Sequence, residues 1–378
     1  MSTTTTTPTS SSFGERLRAV GRQQFVWAIV AIVLLLVINV IKDPTYLSVG
    51  YSDNLGGLRG NLVDILRASA PILMIATGMA LVIATGGIDL SIGSAMVIAG
   101  AVAMEFLSAS GSSSLGTAAL ALLLALLVAG VLGVVNGVLV SVVGLQPFIS
   151  TLIMMLAGRG IAKVITGGQN TTATSEPFRW IANGYVIGLP VVVLLAVVIV
   201  VAVGLIVRRS ALGLMIEAIG IDAEAARLAG VNKRAIIFTV YVAAAVLGGM
   251  AGVFATASVM TVDVSNTGNQ MELDAILAVV IGGTSLAGGK FSIRGAAVGA
   301  VLIATLDKTV VFLGVPSSAT PAFKAAVIVI LFLIQSPWLH TQIAKLRSSR
   351  TSSSSPPTST PPATSATPTT PTNAEVTA

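Results

Sequence analysis

The chain has 378 residues, of which 54% are hydrophobic and only 10% charged, with a mean hydropathy of +0.94; ordinary soluble domains carry roughly 25% charge. That balance excludes a water-soluble globular domain. The net charge of +6 comes from Lys and Arg scattered over short loops, without the basic stripe and interleaved aromatics of a nucleic-acid surface, and the lack of cysteine excludes disulfides and thiolate metal sites.

Residues 1–23 are rich in Ser and Thr and end in the basic Arg16, Arg18 and Arg22. They hold too few large apolar groups to offset chain entropy, so a disordered segment is expected. The apolar run 26–41 leads into Asn39 to Pro44 without small residues spaced for cleavage, and reads as a retained anchor. Further apolar runs predict spans at 62–84, 90–108, 116–141, 148–166, 186–207, 235–257, 272–288, 294–313 and 320–336. Several of these runs approach or reach the roughly 20 residues a helix needs to cross a bilayer. Continuous runs select helices over a barrel, because backbone amides in lipid must be satisfied within each segment. The expectation is an all-α polytopic membrane protein of about ten transmembrane helices, with one domain over 24–345 and a disordered Ser/Thr/Pro-rich tail over 346–378. His340, just past the last run, reads as an interfacial residue.

Basic residues orient the spans. With the N-terminus in the cytoplasm, Arg208, Arg209, Arg227, Lys233, Arg234, Lys290, Arg294, Lys345, Arg347 and Arg350 also fall on the cytoplasmic side. Lys42, Arg59 and Arg179 remain outside, with Arg67 nearby. This is the positive-inside pattern, and an even number of spans returns the C-terminus to the cytoplasm.

Glycines inside the runs, among them Gly133, Gly137, Gly248, Gly249 and Gly252, predict close helix crossings. A short echo links residues 86–93, GGIDLSIG, with 288–295, GGKFSIRG. Asp89 and Ser91 follow the first Gly-Gly break: they read either as the N-cap of the next span or as a broken-helix element facing a pathway. Arg159 and Lys163, four apart, predict a protein-facing stripe with Glu105 as an ion-pair partner. Asn136, Gln146, Gln169 and Asn170 are neutral groups suited either to sugar hydroxyls or to gluing helices. Glu272 and Asp274 open the predicted eighth span from outside, where they complement its dipole or meet basic groups on a docking protein.

No catalytic constellation stands out, and no phosphate-cradling GxxxxGK[ST] loop is present, so ATP hydrolysis is not expected on this chain. The loop 208–234 places basic flanks around two short helical stretches. The first surrounds Glu217 and Ala218 and the second runs from Asp222, a natural cap, through Ala225, Ala226 and Arg227; Gly220 and Gly230 act as bounds. Such an element suits either a partner's groove or the headgroup surface.

The string ALGLMIEAIGIDAEAARLAGVN in that loop resembles the segment by which permeases of ATP-binding-cassette importers dock onto their nucleotide-binding subunits. Residues 81–100, 146–169 and 272–289 resemble ribose/galactose-type sugar permeases, and IATGGIDLS with ELDAILAVVIGG is similar to the galactofuranose permeases in wording. The resemblance covers roughly 60–340. It implies a permease subunit in a bacterial plasma membrane that forms the pathway of an ATP-driven monosaccharide importer. Its expected partners are a nucleotide-binding subunit that holds ATP and Mg, an extracytoplasmic sugar-binding protein and a second permease. No cofactor is expected on this chain. A nucleoside or branched-chain amino-acid permease of the same machinery, or a secondary sugar transporter, stands as the alternative.

Overall fold

The computed structural model describes residues 24–53 and 56–335. The predicted disorder of 1–23 and 346–378, the even-span return of the C-terminus and the role of His340 lie outside the described residues. One compact unit runs to Leu331; of the remainder, only the end of the last helix is described.

The helices are α1 (Gln24–Lys42), α2 (Asn61–Ala84), α3 (Ile92–Ser110), α4 (Leu115–Val138, prolonged by a π-turn Leu139–Val143), α5 (Pro147–Ile165), α6 (Glu176–Asn183) and α7 (Val191–Arg209). They continue with α8 (Leu212–Ile221), α9 (Ala223–Leu228), α10 (Lys233–Val259), α11 (Met271–Ile281), α12 (Ile293–Leu313) and α13 (Thr320–Gln335). Seven of them are long and apolar enough to cross a membrane: α2, α3, α4 with its π-turn, α5, α7, α10 and α12. α1 and α13 are shorter apolar helices. Sheets are minor: antiparallel pairs join Gly50–Ser52 to Gly57–Arg59, Thr171–Thr172 to Thr261–Val262, and Tyr185–Val186 to Leu189–Pro190.

α10 is the central post, packed against α2, α3 and α4. Its small residues make this possible. A Cβ at Gly252 would overlap the Met96 carbonyl, Gly248 sits on Ile92, Gly249 on Ala129, and Gly133 and Gly137 of α4 seat on Val242 and Phe238. In lipid, where apolar burial drives little association, such close approach is a main source of packing.

The predicted eighth span, 272–288, requires correction. α11 has 11 residues, about 16 Å of helix at 1.5 Å per residue, half of the ~30 Å hydrocarbon layer. Gly282 and Gly283 end it, and the chain reverses through Gly288 and Gly289, both with positive φ, into α12. The segment before α11, 260–270, is largely irregular. The Gly268 backbone packs on that of Gly93, beside the turns of α10 that carry Gly248 and Gly252, so the chain has descended well below Val259 before α11 begins. Another break, earlier in the chain, lies in 85–91, between the C-terminus of α2 and the start of α3. The two echoing Gly-Gly segments occupy matching places, each linking a helix to its successor, and they touch: a Cβ on Gly288 would lie 3.1 Å from the Gly86 Cα.

Replacing Gly252 by Leu is expected to destabilise the protein by about 1–3 kcal/mol through overpacking, read as a lower midpoint in thermal unfolding of the detergent-solubilised chain. Gly160→Ala, where a Cβ meets nothing within 4 Å, is expected to cause no loss.

Candidate functional site

Inside a bilayer each interruption of a helix must find partners for its backbone, and the two breaks find them in polar side chains. In the first, Asp89 is buried, and its Oδ1 accepts from the Ser91 amide (2.8 Å) and the Ser91 hydroxyl (2.5 Å). Asn136 donates to Ser91 Oγ at 2.7 Å, Ser150 donates to Asn136 at 3.4 Å, and Thr151 donates to the Ile88 carbonyl at 3.1 Å. Ser91 therefore does not cap α3 through its side chain. It is held by the Asp89 turn instead, a buried network joining α3, α4 and α5.

The second break is pinned from several sides. Arg159 donates to the Gly268 carbonyl at 3.0 Å and lies 3.8 Å from Glu272. Asn170 accepts from the Val264 amide at 3.1 Å, and Thr267 accepts from the Asp263 amide at 3.2 Å. Glu272, not Glu105, is thus the carboxylate beside Arg159; Glu105 accepts from Thr171 at 2.5 Å, and Lys163 is exposed. Glu272 and Asp274 are buried at 7% and 8% exposure, which removes both side chains from the outer surface. Asp274 bonds Lys324 of α13 at 3.0 Å, and Lys324 also reaches Asp307 of α12 at 2.7 Å. This three-residue cluster escaped sequence reasoning, because its members lie in separate runs with no local spacing to link them.

Between α2, α3, the end of α10, the segment 260–270 and α12 lies a cavity of about 380 Å³, within the ~300–1,000 Å³ of small-molecule sites. Ile72, Met96 and Met271 line its apolar wall, and Asn266, Thr267, Asn269 and Asp307 supply polar groups. None of the sequence-predicted pathway residues lines it. Asp89, Ser91 and Asn136 are buried in their own network, Asn170 pins the segment, and Gln146 and Gln169 are exposed elsewhere.

At the opposite end of α10, the loop 208–234 folds as α8 and α9. Asp222 ends α8 and caps α9, accepting from the Glu224 and Ala225 amides at 2.9 and 3.0 Å. Arg227 grips Glu224 through both its Nε and a terminal nitrogen, and that hydrogen-bonded guanidinium holds the Glu224 carboxyl below the usual carboxylate range. The contact is therefore present at neutral pH and lost only as pH falls through the lowered value. Gly220 is helical rather than a positive-φ turn; it is required for contact, because a Cβ there would overlap the Ala84 carbonyl and the Gly289 amide. Gly230 does take positive φ, and Ala226 is buried behind it. Three large apolar side chains, Leu214, Ile221 and Leu228, stand 73–79% exposed on this loop, a surface that residue-by-residue motif reading passed over.

The family described as branched-chain amino acid transport system / permease component matches residues 61–335, and the chain belongs to that family of membrane permeases. A fructose import permease protein of Bifidobacterium longum is 52% identical over 86% of this chain and 91% of its own length. The galactofuranose transporter permease protein of Escherichia coli K12 is 40% identical over 85% of this chain and 92% of its own, and the ribose import permease protein of the same strain is 34% identical over 81% and 92%. No solved structure matches the chain.

Lys324→Met is expected to cost about 3–5 kcal/mol, since it leaves Asp274 and Asp307 together without their cation. Asp307→Asn keeps the Asp274 pair and is expected to cost less than half as much; chemical denaturation of the two purified variants checks the difference.

Proposed function

We propose that this chain is the membrane-spanning subunit of an ATP-driven monosaccharide importer, with fructose the first sugar to test. The observation that carries the proposal is the likeness over nearly the full length of three curated relatives, each named as a permease for a monosaccharide. The cavity supports it: neutral amides and a hydroxyl suit sugar hydroxyls, and the Ile72 and Met96 face suits the C–H side of a ring.

In this reading ATP and Mg bind a separate nucleotide-binding subunit that seats on α8 and α9 through Leu214, Ile221 and Leu228, with Glu217, Ala218, Asp222, Ala225 and Arg227 around them. An extracytoplasmic sugar-binding protein delivers cargo, and a second permease completes the pathway. The loop and both termini face the cytoplasm. The buried cluster of Lys324, Asp274 and Asp307 is the feature that favours the alternative, an ion-coupled transporter, because intramembrane carboxylates serve as coupling sites there.

The test is uptake of radiolabelled fructose by proteoliposomes carrying the assembled complex. ATP-dependent uptake unaffected by an imposed proton or sodium gradient is expected; gradient-driven uptake without ATP would replace the reading by its alternative. Asn269→Ala is expected to lower uptake about three- to tenfold, the loss of one hydrogen bond, with ATPase assembly intact. Gly220→Val is expected to preserve sugar binding by the delivery protein while abolishing sugar-stimulated ATP hydrolysis. A cysteine at the exposed Ala229 is expected to resist a membrane-impermeant maleimide in intact cells, and labelling there would reverse the orientation.

A further inference from the structure

A groove of about 650 Å³ runs between α7 and α12, floored by Leu73 of α2 and closed at one end by α8. Its long wall is apolar: Val197, Val201 and Leu205 from α7 face Ala297 of α12. From Val197 to Arg208 it follows α7 for about 16 Å at 1.5 Å per residue, close to one leaflet of a ~30 Å hydrocarbon layer. Charge is confined to the α8 end, where Arg208, Arg294 and Glu217 line the rim. None of the three has an ion-pair partner among the described residues.

We propose that this groove is a phospholipid site, with an acyl chain along α7 and a phosphodiester between Arg208 and Arg294. Two guanidiniums and one carboxylate leave a single positive charge, which complements a headgroup of one net negative charge such as phosphatidylglycerol. A long apolar wall that ends in one net positive charge matches an acyl chain with an anionic headgroup at its end. The outward side of α7, with Val198, Val201 and Ile206 52–63% exposed, continues the groove as a surface for neighbouring lipid. Basic pockets between membrane helices at the headgroup level are the expected form of such recognition. Leu214 and Glu217 belong to α8, so the bound lipid bears directly on the helix proposed to meet the ATPase. The site itself does not depend on the cargo.

The experiment is native mass spectrometry of the full chain exchanged into detergent with phosphatidylglycerol or phosphatidylcholine, counting retained lipid. One phosphatidylglycerol per chain is expected, held in preference to phosphatidylcholine. Combined Arg208→Gln and Arg294→Gln is expected to reduce that preference about ten- to thirtyfold, the value of two basic contacts. The matched pair Arg209→Gln and Lys233→Gln removes equal charge outside the lining and is expected to leave the preference intact. Gly204→Leu, whose added atoms enter open space at the groove wall, is expected to expel both lipids while both arginines remain. Retention of phosphatidylglycerol by the Arg208 and Arg294 variant, equal loss in the matched pair, or displacement by glycerol phosphate alone would overturn the proposal. A disulfide between copies through Gly204→Cys would overturn it in favour of a subunit contact.

Discussion

The structure turns on one constraint: a backbone amide or carbonyl left unpaired in hydrocarbon costs several kcal/mol, and this chain interrupts its helical path at 85–91 and at 260–270. Each interruption is tolerated because other segments supply the missing partners. Gly289 donates its amide to the Ala84 carbonyl at 2.9 Å, Arg159 covers the Gly268 carbonyl, and Asp89 closes the turn before α3. The interruptions need neighbours at backbone distance, which explains why glycine is concentrated where α10 meets α3, and where α8 meets the ends of α2 and the Gly288 turn.

This arrangement separates the polar residues into two kinds. Asp89 through its Oδ1, Ser91, Asn136 and Asn170 spend hydrogen bonds on the protein's own backbone and hydroxyls, and so build the frame. Asn269 and the open side of Asp307 face a cavity instead. A permease that passes cargo onward has reason to keep the second kind few, since a deep well in the pathway slows release. The exposed surface of α8 and α9 is apolar at Leu214, Ile221 and Leu228, and Glu224 and Arg227 beside them satisfy each other.

Much of the fold was legible in the sequence because run length and glycine spacing are local signals. Nine of the predicted spans have a helix at the expected place, and Asp222 caps a short helix as its position implied. The eighth span misled because 275–283 is an unbroken apolar run, and hydropathy does not register that Gly282 and Gly283 let the chain stop and turn. Pairings between distant runs were not legible. Arg159 lies beside Glu272, not the expected Glu105, because the segment 260–270 brings Gly268 and Glu272 to it, a path that no periodicity encodes. For the same reason nothing in the sequence marks Asn266 and Asn269 as lining a cavity.

The contact of Gly220 with both Ala84 and Gly289 has a mechanical consequence. α2 with α3, and α11 with α12, are two hairpins whose bends abut at Gly86 and Gly288, and α8 rests on that common vertex. No room remains at this vertex for a side chain on Gly220, so bulk added there would press on the end of α2 and on the Gly288 turn together, and one small helix thereby bears on both bends.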